Sequence, residues 1–565
     1  MAQDIFNGQS VNNMEILTKI NRFDGGIAND LRIKLSNKFA LTKHFDALTY
    51  PHKLVPHYKT ESDKGIGKTA LITKFLYAPW LSAGAYRLYG FGVVAGSTKA
   101  KVYSYDLSSF GGWGTPSKGE SGLATRNTKV FFYYKNYIYM WANDKLIRFD
   151  TTNSDNFNDN YQSIAFTNVA QPVHHPSDDI AYFFSDNKVH SLNDTTFLPA
   201  VLTLPSDLKI VAGCPYGNYL AIACVSLRSF HQKSIVFLWD RDSSLATLTE
   251  RIDFGEGEII HIADLDNKLT AVMNYYLNSS LGLDKGKLLV KQAIGNKAKI
   301  INELNADDAV AEDGSIITNT DFLENDKLYF PASIPLNDDT RNGIWVLDSN
   351  GNLTLDFVEE EVDNATTKTY QGIFKTGNIW WIAHSADGSI NRSDDGAAYS
   401  ATLTSVYESL INGGNAKLNN RLTKKLKGVE VLTEPLPIAG RITLKYRKDD
   451  DIDGGDWTTI FTQDVIIAGS FVIGTKYRIT VGGTTDFTLI GAADSNPGTI
   501  FTATGVGTGT GRAIDRLSGH GAINIESTGA TLPQYKEIQF RIESLGGAII
   551  TGLEFLSEFI DNKLF

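Results

Sequence analysis

A recurrence near 45 residues constrains this chain more than any other feature. Short runs that end in an acid or an amide close at Asp106, Asp150, Asn193 and Asp240, at intervals of 44, 43 and 47 residues. They read Val102-Tyr103-Ser104-Tyr105-Asp106, Leu146-Ile147-Arg148-Phe149-Asp150, Val189-His190-Ser191-Leu192-Asn193 and Val236-Phe237-Leu238-Trp239-Asp240. The series resumes at Asp348 and, 46 residues on, at Asp394; the gap of about 108 residues before Asp348 has room for two irregular copies. Each closing run follows a turn rich in Asn, Asp or Gly and a first apolar run, as in Asn136-Tyr137-Ile138-Tyr139-Met140, Asn218-Tyr219-Leu220-Ala221-Ile222 and Asp326-Lys327-Leu328-Tyr329-Phe330. Strand–turn–strand content at this period is what the blades of a β-propeller produce. With the Lys287-Leu288-Leu289-Val290 copy included, the count is about seven.

A single blade is a small twisted sheet that would expose both faces, and radial stacking hides both. Runs such as Val130-Phe131-Phe132-Tyr133-Tyr134 and Ile379-Trp380-Trp381-Ile382 are apolar on both faces, as that burial demands. Thirty Phe, 24 Tyr and 50 Gly in 565 residues supply packing for pleated surfaces and residues for tight turns. Helical periodicity is scarce, and the best helix candidate runs from Leu403 to Leu410, in a stretch that reads equally well as a linker. The expected fold is all-β, with a propeller of about seven blades over residues 76–410.

Residues 1–75 read as an N-terminal arm with strands that join the first or last blade: Phe23-Asp24-Gly25-Gly26-Ile27 is a turn into a strand, and the stretches at His44-Phe45-Asp46 and Leu54-Val55-Pro56 are extended. After residue 418 the pattern alternates. Lys424 to Val431, Gly440 to Arg447, Lys536 to Ile542 and Ile549 to Phe555 read as strands of a C-terminal β-sandwich, 418–469 plus 514–565. The intervening 470–513 is Gly- and Thr-rich and nearly uncharged, yet Tyr477, Ile479, Phe487, Ile490 and Phe501 recur too regularly for a linker. It reads as a small inserted β-module.

The formal net charge of -11 argues against a surface that wraps nucleic acid, which needs clustered cations. The two cysteines, Cys214 and Cys224, read as small buried hydrophobes and give no basis for a zinc site or disulfide framework. No stretch reaches the length of a membrane-spanning helix, and Met1 to Ser10 lacks the basic and apolar parts of a secretory signal, so synthesis in a cytoplasm is expected.

Motifs with chemical potential fall short of their patterns. Gly65-Ile66-Gly67-Lys68-Thr69 resembles the end of a phosphate-binding loop, but Ser62 occupies the position of the first glycine. Asp449-Asp450-Asp451-Ile452-Asp453-Gly454 opens like an EF-hand loop, but Ile460 stands where the bidentate Glu belongs, so a hairpin turn is expected. Ser393-Asp394-Asp395-Gly396-Ala397-Ala398-Tyr399 resembles an Asp-box of sialidase-like propellers, a turn device with no catalytic part. His174-His175 would point to opposite faces of a strand and chelate poorly. Glu359-Glu360-Glu361 reads as a solvated strand end. Trp113, Trp380 and Trp381 are the candidates for stacking on sugar, against the alternative of burial in strands. No catalytic, cofactor-binding or metal-binding residues are nominated, and no enzymatic activity is expected.

Two stretches carry a family resemblance. Tyr477-Arg478-Ile479, Gly483-Thr484-Thr485-Asp486-Phe487-Thr488, Ile490-Gly491-Ala492, Phe501-Thr502-Ala503-Thr504-Gly505 and Gly507-Thr508-Gly509-Thr510-Gly511 resemble a small module that recurs in bacteriophage virion and tail proteins, over some 45 residues. Ile442-Thr443-Leu444-Lys445-Tyr446-Arg447, Trp457 and Lys536-Glu537-Ile538-Gln539-Phe540-Arg541 resemble the end of propeller-containing phage structural proteins. The plan of propeller followed by β-domain is similar to nozzle-type tail proteins of short-tailed phages. The resemblance implies a structural tail protein of the virion that forms a ring with copies of itself, six-fold by analogy. That ring would contact other tail proteins and let viral DNA pass without specific binding. The alternatives are a receptor- or glycan-binding tail protein and a glycan-degrading propeller enzyme.

Overall fold

The computed structural model describes residues 15–27, 38–63, 70–80, 82–94, 100–106, 113–114, 130–142, 145–152, 157–164, 167–226, 233–242, 250–276, 286–305, 316–317, 321–336, 339–359, 370–376, 379–384, 390–393, 399, 403–411, 422–434, 436–437, 440–449, 456–515 and 532–560. The chain divides into two compact units. One holds residues 60–353 and 361–395; the other holds 1–59, 354–360 and 396–565.

The first unit is a succession of small antiparallel sheets, most of them made of consecutive strands. Sheet A is Ala70–Trp80, Ser82–Val94, Ala100–Asp106 and Trp113–Gly114; sheet B is Phe131–Tyr134, Tyr137–Ala142, Lys145–Asp150 and Phe157–Ser163. Sheet C is Val169–His175, Ile180–Ser185, Lys188–Asn193 and Thr196–Thr203; sheet D is Leu208–Tyr216, Tyr219–Ser226, Lys233–Trp239 and Glu250–Glu256. Sheet E is Glu258–Leu265, Lys268–Tyr276, Gly286–Ile294 and Lys297–Asn305, and its last strand joins that of D through a parallel bridge, Lys297 to Asp253, so that D and E run on as one eight-stranded sheet. Sheet F pairs Ile316–Ile317 and Phe322–Glu324 with Lys327–Leu336, which pairs in turn with Asp339–Leu347. Sheet G is Tyr370–Thr376, Ile379–His384 and Ile390–Ser393, completed by Thr60–Asp63 from the start of the unit.

The turn acids and amides of the repeat have a backbone cause. Lys135-Asn136, Asp266-Asn267 and Asn325-Asp326 all have positive φ, between 42° and 69°, as two-residue hairpin turns require. The closing acids cap the next turn: Asp150 Oδ1 accepts from Thr152 N at 2.9 Å, and Asp348 Oδ1 from Asn350 N and Asn352 N at 2.9 and 2.8 Å.

Neighbouring sheets share apolar seams. Phe91 stacks on Phe131 at 5.3 Å between A and B, and Phe183 meets Tyr139 at 5.7 Å between B and C. Tyr182 meets Trp239 at 5.8 Å between C and D, and Ala221, Ile252, Ile262 and Met273 share one cluster between D and E. His261 lies 5.6 Å from Phe330 between E and F, and Tyr329 lies 5.2 Å from Trp380 between F and G. Trp381 and Tyr105, 4.8 Å apart, join G back to A. The sequence of sheets therefore closes on itself, and the unit is all-β and propeller-like.

A second regularity was invisible in the letters. The first strand carries a β-bulge against its partner in sheets A (Ile72/Lys74), C (Ala170/Val173), D (Ile210/Ala212), E (Ile259/His261) and G (Tyr370/Gly372). A bulge increases twist and re-aims a side chain, so the lead strand is kinked at the same place in five sheets.

In the other unit, Glu15–Ile20, Ile550–Phe559, Lys424–Thr433 and Gln534–Tyr535 form one sheet. Leu41–Lys43, Ser405–Glu408, Ile538–Leu545, Arg441–Lys448 and Thr458–Ile467 pair in that order in another, and Phe540 of this sheet meets Phe555 of the first at 4.8 Å. Thr458–Ile467 runs on to pair with Arg512–Asp515, which pairs with Lys476–Val481 and through it with Ile500–Thr502. Phe471, Tyr477, Ile479, Phe487, Ile490 and Phe501 pack together there as a core of their own.

Four expectations need correction. The helix candidate from Leu403 to Leu410 contains instead the strand Ser405–Glu408, because Val406 and Tyr407 fit a buried slot between Leu41–Lys43 and Ile538–Leu545. That strand, with residues 354–360, belongs to the second unit, so 76–410 is not one body. Residues 15–59 also belong to the second unit, and of the N-terminal region only Thr60–Asp63 and the start of Ala70–Trp80 join sheets of the first. Glu359, read as solvated, is fully buried, on a segment anchored by the Val358 N–H donating to His44 Nδ1 at 3.3 Å.

Candidate functional site

The residues singled out in the sequence are occupied structurally where they are described. His174 and His175 do face opposite ways. His174 Nε2 lies 2.9 Å from Asp179 Oδ1, while the buried His175 donates from Nε2 to Tyr219 O at 3.1 Å and accepts at Nδ1 from Arg241 Nη1 at 2.6 Å. Burial lowers the His175 pKa. Asp449 Oδ1 accepts from the backbone of Lys536 and Glu537 at 2.7 and 3.0 Å; the rest of the EF-like run, Asp450 to Gly454, lies outside the described residues. Ser393 Oγ accepts from Trp380 N at 2.8 Å, and the remaining Asp-box positions up to Ala398 also lie outside, as do Gly65 to Thr69. Trp380 and Trp381 are 1% and 0% exposed, so they are seam residues and cannot stack on a sugar; the Trp113 side chain lies outside the described residues. Cys214 and Cys224 are buried free thiols, both pushed up by burial and so protonated.

What the sequence did not nominate is a cleft of about 560 Å³ in the first unit, where the lead strands of sheets C, D and E meet the start of sheet F. Its polar lining is Gln171, His174, Asp264, Asp266, Asn267, Asp321 and Asp326. Val173, Ile262, Leu323 and Leu328 supply apolar wall between them. A narrow recess of about 40 Å³ shares part of this lining and is walled also by Val211, Ile260 and His261, two of them at the bulges of sheets D and E. Such a volume holds a water or a group of similar size.

The cleft is electrostatically uncomfortable. Burial raises the Asp264 pKa, and the neighbouring Asp326 and Asp266 carboxylates add to the rise, against backbone N–H groups of Asn267 and Gly217. One Asp264 oxygen, Oδ1, is buried with no donor. Asp321 is pushed up by burial, but His261 at 3.6 Å and the Lys74 ammonium outweigh this and leave it lowered. Lys74 itself is buried and hydrogen-bonded to Gln171. Among the described residues no group of three His, Cys, Asp or Glu side chains is placed to hold a metal ion.

The signal for this site was present but scattered. Asp266 and Asp326 belong to the hairpin turns of successive repeats, where acids are expected for their backbone conformation alone, and Asp264 lies near the end of the strand that leads into the first of these turns. Only the stacking of one sheet on the next brings them together.

No known protein family matches the chain, and no curated protein matches it. Among solved structures, it is similar to the N-terminal domain of Nup159, with 12% identity over 60% of this chain and 95% of that one at a TM-score of 0.35. It is similar also to the Cps50 (Swd1) beta-propeller domain of Myceliophteria thermophila, with 11% identity over 57% of this chain and 96% of that one at 0.37. The extracellular domain of the hybrid two component system BT4673 from B. thetaiotaomicron matches at 12% identity and a TM-score of 0.34 over 60% of this chain; the chain spans 40% of that domain's length.

Proposed function

We propose that the protein is a non-enzymatic structural component of a bacteriophage virion, of the nozzle or tail-tip kind. It would be made in the host cytoplasm and assembled into a ring with copies of itself and with other tail proteins around the path of the DNA. In this reading sheets A to G are the blades of a seven-bladed propeller, the paired sheets of the second unit are a β-sandwich, and 470–513 is an adapter module inserted in it.

The observation that carries the reading is where aliphatic side chains are left in water. Val472, Ile473, Leu489 and Val506 are between 51% and 79% exposed, although the module keeps its aromatic residues inside. Backbone bonds from Gly469 N to Val506 O and from Thr504 N to Ile490 O bring their loops together. An exposed aliphatic patch with little charge around it marks a surface that is covered in the assembled state. Electron microscopy of the purified protein and of the particle tests the proposal: a closed ring at the tail is expected, and isolated monomers with sugar-cleaving activity would overturn it.

The glycan-binding alternative keeps one specific support. Tyr77 and Tyr86, 44% and 46% exposed, stack at 5.0 Å on the long hairpin of sheet A, beside Arg87 over Trp80. Binding to a glycan array that is lost in a Tyr77→Ala/Tyr86→Ala variant would favour it.

A further inference from the structure

The acidic cleft holds an unmet demand for hydrogen-bond donors. Its carboxylates accept only, and burial together with the neighbouring Asp326 and Asp266 carboxylates makes Asp264 costly to ionise. The Lys74 ammonium is already engaged by Gln171 and acts electrostatically on Asp321.

His261 provides an independent pointer to a ligand. It is 3% exposed, it walls the inner recess, and its Nδ1 faces Asp321 Oδ2. With the Asp321 carboxylate on the Nδ1 side at 3.6 Å, the favoured tautomer keeps the proton on Nδ1 and leaves the lone pair on Nε2. That nitrogen has no hydrogen-bond partner. A buried acceptor without a donor is costly, and native structures explain such atoms by water, an ion or function.

We propose that this cleft binds a primary alkylammonium group, either the ε-ammonium of a lysine on a partner polypeptide or a free polyamine. The ammonium head brings three donors to a set of acceptors. The methylene stem has apolar wall to lie against at Val173, Ile262, Leu323 and Leu328, as the stems of long cationic side chains do. A hydrated inorganic cation would gain from the charge and waste that wall. At about 560 Å³ the cleft admits a chain of several methylenes. The inference is independent of the virion reading, since it rests on sheets C to F alone.

Calorimetric titration of the full chain at fixed ionic strength tests it, with spermidine, an acetylated oligolysine peptide and magnesium chloride as separate probes. Both amines are expected to bind more tightly than magnesium. An Asp264→Asn/Asp326→Asn variant should weaken amine binding on the order of tenfold for each charge-assisted hydrogen bond lost. An Asp266→Asn/Asp326→Asn variant, altered only at exposed turn positions that tolerate Asn, provides the same reading if the first folds poorly. Glu250→Gln, on the exposed strand of sheet D, should bind as the parent does. Binding of spermidine alone identifies a small-molecule site, and binding of the peptide alone identifies a docking segment; either supports the proposal. Amines that bind no tighter than magnesium, or bind the Asp variants as tightly as the parent, overturn it.

Discussion

The closed succession of sheets in 60–353 and 361–395 and the small module at 470–513 solve the same problem in opposite ways. Each sheet of the former is apolar on both faces and is covered only by its neighbours, so its stability is a sum of seams. Trp381, Tyr105 and Leu88 at the junction of G with A are worth as much as any interior cluster, because they close the series. The module has one core shared by every strand, held by aromatic contacts such as Phe471 to Tyr477 at 5.0 Å and Phe487 to Phe501 at 5.5 Å. A seam can fail while others hold; a single core fails all at once.

The largest effect should come from breaking the closing seam. Trp381→Ala removes a fully buried indole that also donates from Nε1 to Thr376 Oγ1 at 2.9 Å. It should cost about 3–5 kcal/mol, read as a lower urea midpoint. Hydrogen exchange should then show sheets A and G opening before D and E, with the module unchanged. Uniform loss of protection in every sheet would mean that the seams do not act separately.

Acid should discriminate between the two regions next. His190, between Lys188–Asn193 and its neighbours, is 1% exposed and neutral: Ala200 N donates to its Nδ1 at 3.1 Å, and its Nε2 meets Ser185 Oγ at 2.7 Å. Burial lowers its pKa to about 4. A depressed pKa means that the unfolded chain takes up the proton first. The stabilisation is therefore complete above the unfolded value near 6.5 and is lost as the pH falls toward 4. The loss should be on the order of 3 kcal/mol at the acid end, and a His190→Gln variant should show a shallower acid dependence. The module has no histidine, so its exchange protection should follow pH far less over that interval.

The module's own weak point is a turn. Gly491 has φ 103°, ends the short helical turn Phe487–Ile490, and would place a Cβ 2.4 Å from Thr502 O. Gly491→Ala should cost at least about 1–2 kcal/mol, with faster exchange confined to residues near 487–504.

The same contrast explains what the sequence could and could not reveal. The turn residues were legible because Asn136, Asn267 and Asp326 answer to local backbone conformation, and the repeat followed from them. Strand identity was legible wherever alternation was clean, as in Arg441–Lys448. Ser405–Glu408 was not, since its four residues suit a helix as well and only two long-range partners decide the matter. Glu359 was misjudged because charge predicts exposure only on average, and its burial depends on a segment some three hundred residues earlier in the chain. The bulges of the lead strands left no distinctive letter pattern, since Thr73, Val211 and Ile260 are ordinary β-branched strand residues and Gln371 is not even that. The acidic cleft was hidden for the same reason: each aspartate had a sufficient local explanation.

The smallest expected effect on stability is the most informative about the module's outer surface. Ile473 is 65% exposed in a loop whose Gly474 N bonds to Ala503 O, so its side chain contributes little to the core. Ile473→Asp should change the module's stability by no more than about 0.5 kcal/mol. If the patch with Leu489 and Val506 is buried on assembly, that one charge must be desolvated in every copy, and association should weaken far more than folding does. Sedimentation of the parent and the variant, with thermal melts of each, separates the two. Unchanged melts with lost oligomers would place the contact on this patch. Intact oligomers would leave the exposed aliphatic residues without a role in self-assembly and shift attention to the hairpin that carries Tyr77 and Tyr86.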